Sequence, residues 1–191
     1  MTKEQARKQA RENVSKMSAE EREWASGAIA DYLSSFEALC RAHNVFIFLG
    51  TPLEPDTEEV VGLSLALERT VAVPRIEKDG MHAVVISPFT NFERNGYGIL
   101  EPVGGHDITD VDVAVVPIAA FDGLNRVGHG KAYYDRFLQD RECLKIGIAF
   151  DCQEVSGVDF EAHDISLDML VTETRVLTKD KQIPNPYGVN K

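Results

Sequence analysis

At 191 residues, 43% hydrophobic and 27% charged, the chain has the composition of one globular domain large enough to bury a core. Its formal charge of -11 (20 basic residues against 31 acidic) repels nucleic acid and argues against a DNA or RNA partner. No apolar run is long enough for a bilayer, and the polar start TKEQARKQARENVSK is unlike a signal peptide, so a cytoplasmic protein without membrane contact is expected.

Thr2 with Gln5, and Ser18 with Glu21, have capping-box spacing, which predicts helices over 3–15 and 19–42. In the second, Trp24, Ile29, Leu33, Phe36 and Leu39 approximate an apolar face. Val45–Leu49 reads as a short buried strand. Pro52 and Pro55 mark a loop, and Asp56 or Thr57 then caps a helix to about Arg69. Val71–Val73, Ala83–Ser87, Val111–Val116, Lys145–Phe150 and Met169–Thr172 read as further strands. Asn91–Asp110 is a Gly- and Pro-bearing connection, and 182–191 is expected to be an irregular tail. The alternation of helix and strand signals argues for one α/β domain, 1–191, with a largely parallel sheet. Cys40, Cys143 and Cys152 show no metal spacing and suit a reducing compartment as buried or bystander thiols. Five scattered histidines give no zinc pattern.

The segment Asn125–Leu138, NRVGHGKAYYDRFL, carries the chemistry. Gly128 and Gly130 let backbone N–H groups approach an anion, Lys131 supplies a fixed cation, and Asp135 follows one turn later as a candidate Mg²⁺ ligand. The preceding strand ends at Pro117, and ligands of open α/β sheets bind beyond strand carboxyl ends. This is not the common NTPase loop, which needs four residues between its glycines and Ser or Thr after the lysine; here Ala132 follows. Asp164 and Asp168 offer further carboxylates. A short Gly-x-Gly is often no more than a tight turn; the gathering of Arg126, Lys131 and Asp135 on one strand–loop–helix is what favours an ATP site. Lys3, Arg7 and Arg11, spaced by four, form a basic stripe on one helix face. Such a stripe can be a merely solvated face, but in an acidic chain it is a scarce source of cations, and Arg11 stays unassigned.

FDGLNRVGHGKAYYDRFL (Phe121–Leu138) resembles the signature of the 5-formyltetrahydrofolate cyclo-ligases, whose usual pattern is F-D-x-x-G-x-R-L-G-x-G-x-G-Y-Y-D. Lys3-x-x-x-Arg7, FIFLGTPLEPDTEEVV (Phe46–Val61), YGILEP (Tyr97–Pro102) and His163-Asp164 agree in order and spacing. The resemblance implies a three-layer α/β domain with helices on both faces of the sheet, as in sugar-phosphate isomerases and CoA-transferases. It implies a monomer that uses ATP and Mg²⁺ to cyclise 5-formyltetrahydrofolate to 5,10-methenyltetrahydrofolate, releasing ADP and phosphate.

By the same resemblance Lys131 and Arg126 are catalytic, and Lys3, Arg7, Arg126 and Gly128 to Tyr134 (with His129, Gly130, Ala132 and Tyr133) bind ATP. Leu49, Glu54 and Tyr133 bind the folate, and Asp135 and Asp164 hold the metal. The chain departs from the pattern at Val127 (for leucine), at Ala132 (for glycine) and at Leu124-Asn125, where a glycine is missing before Arg126. A helical φ is predicted at Ala132. Rival readings are an ATP-dependent enzyme for another amide, a non-catalytic nucleotide- or folate-binding paralogue, and an isomerase or transferase that turns over without ATP.

Overall fold

The computed structural model describes residues 1–188. Its elements run α1 (Lys3–Val14), α2 (Ala19–Ser35), α3 (Glu37–Arg41), β1 (Asn44–Ile47), α4 (Glu58–Ala66), β2 (Thr70–Glu77), β3 (Gly80–Ile86), β4 (Phe92–Arg94), β5 (Leu100–Pro102), β6 (Val113–Pro117), β7 (Ala120–Asp122), β8 (Asn125–Val127), α5 (Tyr133–Leu138), β9 (Leu144–Ile148), β10 (Met169–Val171), β11 (Arg175–Thr178) and β12 (Gln182–Pro184). A single 3-10 turn, Asp151–Gln153, follows β9.

Eight strands form one sheet in the order β12-β11-β10-β9-β6-β1-β2-β3. The central pairs β2–β1, β1–β6, β6–β9 and β9–β10 are parallel. The outer pairs β2–β3, β10–β11 and β11–β12 are antiparallel, so the sheet is mixed and largely parallel at its centre. Alternation along β1 sorts the two faces. Val45 and Ile47 pack with Ile29, Leu33, Leu39 and Val60 from α2, α3 and α4, whereas Phe46 faces Phe137 and Leu138 of α5. Helices therefore cover both faces. Phe46 and Phe137 meet with ring centroids 4.7 Å apart, which docks α5 on the sheet. Each such fully buried side chain stabilises by about 1.5–3 kcal/mol.

Both N-terminal capping boxes form: Thr2 Oγ1 accepts from Gln5 N, and Ser18 Oγ from Glu21 N. The expected helix over 19–42 is two helices, because Phe36 adopts an extended conformation (φ -75°, ψ 117°) and starts α3 in a new direction. No proline or glycine marks that break; Phe36 packs against the core cluster instead. Thr57 does not cap α4 through its side chain; its hydroxyl donates to Phe48 O at 2.7 Å, pinning the loop after β1. Asn91–Asp110 contains the β4–β5 hairpin.

The tail expected from residue 182 is structured as far as it is described. Gln182–Pro184 pairs with β11 as an edge strand, and Asn185, fully buried, donates to Ala28 O and Thr172 O at 3.1 and 2.9 Å. The remainder of that segment, 189–191, lies outside the described residues. Cys40 is exposed rather than buried, and Cys143 and Cys152 are half-buried. Among the described residues, no helix is long and apolar enough to cross a membrane.

Candidate functional site

The carboxyl ends of β1, β2 and β6 open onto a cleft of about 520 Å³. Phe48, Leu49 and Pro117–Ala119 form its floor, α1 one wall, the loop 128–132 with α5 another, and Pro74, Ile76, Met81, Tyr97 and Ile99 an apolar end. The 3-10 turn braces the floor: Gln153 Nε2 donates to Ile118 O and Ala119 O at 2.6 and 3.2 Å.

β7 and β8 pair as a tight hairpin that delivers Arg126 to the base of the cleft. Arg126 is 3% exposed. Its Nη2 lies 3.3 Å from both Asp135 oxygens, and its guanidinium stacks 5.5 Å from the Tyr134 ring centroid. Burial pushes the Arg126 pKa down, opposed by Asp135. Among the described residues its buried Nε has no hydrogen-bond partner, which leaves one donor in reserve. A Cβ at Gly128 would stand 2.5 Å from Arg126 Nη1, so a side chain there would displace the guanidinium. Burial also pushes the Tyr134 hydroxyl pKa well up, with the negative Glu54 adding to it and Arg126 opposing.

Arg7 from α1 donates its Nε–H to Gly128 O at 2.6 Å, and its guanidinium packs against Gly130, whose φ is +98°. Ala132 has φ 51° and ψ 24°, a left-handed conformation, so the helical φ expected from the sequence is wrong. Ala132 is the N-cap of α5, where the chain must reverse out of the glycine turn before Tyr133 becomes helical. A Cβ in that region costs about 1–2 kcal/mol. The bend gives a run of backbone N–H groups ahead of a helix start, an arrangement that suits an anion. Lys131 is exposed at the rim, and among the described residues it makes no ion pair.

Across the cleft, Glu54 Oε2 accepts from Thr51 N at 2.9 Å, and Oε1 lies 2.8 Å from His129 Nε2. Burial raises the Glu54 pKa, but the bonds from His129 and Thr51 outweigh it and hold the group below the usual carboxylate range.

Most residues singled out in the sequence thus come together: Arg7, Leu49, Glu54, Arg126, Gly128, His129, Lys131, Ala132, Tyr133, Tyr134 and Asp135 line one cleft. Lys3, Gly130 and Asp164 are not on its wall. Lys3 Nζ is 2.6–2.7 Å from both Asp164 oxygens and 2.9 Å from Glu161. Asp168 accepts from Lys145 N and pairs with Lys179, away from the cleft. Arg11 does line the cleft, as do Gln153 and Tyr97. Gln153 carries no signal in the sequence, because its role rests on backbone carbonyls it meets only in the fold.

Carboxylate oxygens are the donors Mg²⁺ takes, one or two at a time beside substrate phosphates and waters. Asp135, on the cleft wall with its oxygens 3.3 Å from Arg126, fits that use. Asp164 has the right chemistry, but both of its oxygens are taken by Lys3.

Sheet, cleft and loop together define an α/β protein with a glycine turn and a cation-lined cleft at the carboxyl ends of a largely parallel sheet. The model of the 5-formyltetrahydrofolate cyclo-ligase family matches residues 1–173, and the chain belongs to that family. The 5-formyltetrahydrofolate cyclo-ligase of Escherichia coli K12 is 28% identical over 161 residues, 77% of this chain and 87% of that one. The Haemophilus influenzae protein of the same name is 27% identical over 143 residues, 69% and 76% of the two chains. The NMR structure of Aquifex aeolicus 5,10-methenyltetrahydrofolate synthetase superposes with a TM-score of 0.79 at 28% identity, covering 99% of this chain and 95% of that one.

Proposed function

We propose that the protein cyclises 5-formyltetrahydrofolate to 5,10-methenyltetrahydrofolate at the expense of ATP, with Mg²⁺. The observation that carries this reading is that one cleft holds four cations, Arg7, Arg11, Arg126 and Lys131, beside the buried acceptor Glu54 and an apolar end. Cations and loop N–H groups suit a triphosphate. A two-oxygen acceptor above apolar walls suits a flat ring that presents amino and N–H donors.

A formamide oxygen is a poor leaving group. Transfer of the γ-phosphoryl group to it breaks the bond to ADP and forms an imidate phosphate. The neighbouring amine nitrogen attacks the activated carbon and gives up its proton. The C–O bond then breaks and phosphate leaves. No covalent nucleophile is needed from the protein. Its task is to align two substrates and to offset charge on the transferring group. Lys131 at the rim and Arg126 with its spare Nε–H are the donors for that charge; Arg7 holds the loop and reaches the phosphates. Tyr133 and Leu49 border the folate. Lys3, paired with Asp164 and Glu161 off the cleft wall, would have to exchange those partners to serve the phosphates. Asp135 would hold Mg²⁺, which offsets phosphate charge when bound; Asp164 would join it only by giving up Lys3.

The test is direct: protein, ATP, Mg²⁺ and 5-formyltetrahydrofolate are mixed and the near-ultraviolet absorbance of the methenyl product is followed. An ATP-dependent rise is expected. A flat trace with folded protein would overturn the reading.

A further inference from the structure

The phosphate loop and the folate acceptor touch. His129 sits between Gly128 and Gly130, yet its imidazole reaches across the cleft to Glu54, 75 residues away in the chain. Facing a carboxylate at 2.8 Å, Nε2 must carry the proton and donate it. The two side chains differ sharply in freedom: that of His129 is 56% exposed, that of Glu54 only 8%. Glu54 Oε2 is already held by the Thr51 N–H of its own turn, so Oε1 is the oxygen left for a ring donor. The imidazole stands on that oxygen.

We infer that His129 is a positioning residue, a latch that satisfies Glu54 while the cleft is empty and must leave before the folate ring can bind it. The inference rests on the proposed folate role of Glu54. A buried carboxylate without a donor is costly, so the latch stabilises the empty cleft and competes with substrate. The exposed imidazole can turn away about its own side-chain torsions while Arg7 holds the loop, and the same loop would carry the triphosphate. Nucleotide on the loop therefore helps to release the latch. Folate and nucleotide then bind with positive coupling, each strengthening the other by the same factor.

Three proteins test this: wild type, His129→Ala, and His129→Gln, whose amide keeps a donor for Glu54. The dissociation constant of 5-formyltetrahydrofolate is measured by calorimetry, alone and with a non-hydrolysable ATP analogue plus Mg²⁺. Thermal melts confirm that each variant is folded. His129→Ala is expected to bind folate about tenfold more tightly than wild type without nucleotide, the scale of one hydrogen bond to a charged group. His129→Gln should stay near wild type. The nucleotide analogue should tighten folate binding to wild type and leave His129→Ala unchanged. Equal or weaker folate binding by His129→Ala overturns the latch while leaving the cyclo-ligase reading intact. No folate binding by any of the three overturns that reading, and the latch with it.

Discussion

Arg7 and Gly128, 121 residues apart, are joined by a 2.6 Å hydrogen bond from the arginine Nε–H to the glycine carbonyl. The bond fixes the glycine loop against helix α1. Lysine at position 7 keeps the charge but loses the planar donor set. Arg7→Lys should lower stability by about 1 kcal/mol and weaken ATP by about tenfold, read by denaturant unfolding and by calorimetry. Unaltered ATP affinity would show that α1 braces the loop without touching nucleotide.

Lys131 is exposed and unpaired among the described residues, so the fold does not depend on it. Lys131→Ala should change stability by less than about 0.5 kcal/mol. Turnover should fall by about two to three orders of magnitude, the usual loss when a donor to a transition-state charge is removed. Steady-state kinetics beside a thermal melt separates the two effects.

The left-handed backbone at Ala132 makes a stabilising substitution available. Ala132→Gly removes a Cβ strain of about 1–2 kcal/mol, partly offset by glycine's greater freedom in the unfolded chain. A net gain of about 0.5–1 kcal/mol follows, or roughly 1–4 °C in Tm for a chain of this length. A fall in Tm would mean that the position is not strained in solution.

The two candidate metal carboxylates are separable by experiment. Chelation should abolish turnover. Asp135→Asn should raise the Mg²⁺ concentration for half-maximal rate at least about tenfold, because asparagine keeps the shape but gives up the charge. Asp164→Asn, whose partner is Lys3, should show the smaller shift in Mg²⁺ requirement and the larger change in pH-dependent stability. The reverse order would place the metal on the Lys3 side.

The direction of that pH dependence follows from the pair. Burial raises the Asp164 pKa, but the Glu161 N–H and Lys3 outweigh it and depress the group below its ordinary value. Its stabilising contribution is therefore present above the unfolded pKa of about 3.9 and lost as pH falls through the folded value. For Lys3, burial lowers the pKa, but Asp164 and Glu161 raise it overall. That contribution is present below the unfolded value and lost as pH rises past the folded one. Asp164→Asn should flatten the acid limb of a stability–pH profile measured by chemical denaturation. An unchanged acid limb would assign acid unfolding elsewhere.

The central strands were legible because β1, β6, β9 and β10 are short apolar runs, buried on both faces, that alternate with helix signals. β11 and β12 were not, since an edge hairpin with Arg175, Gln182 and Pro184 has no apolar run to read. Ala132 misled for a local reason: alanine is the best helix former, and only the geometry of the loop forces it left-handed. Arg126, Lys131 and Asp135 stood out because they flank a glycine pair in the sequence, and Arg7 because it repeats with Lys3 along one helix face. The His129–Glu54 contact had no such signal, as it joins two loops that only the sheet brings together.

The docking of α1 bears on how the protein is made. Helix α1 meets partners at Gly128 and Asp164, so a helix translated before the sheet docks against residues translated after most of it. At typical synthesis rates roughly 8–30 s separate the two segments. A growing chain therefore carries a basic helix whose partners are not yet made, and the cleft is completed late, after most of the sheet has been translated.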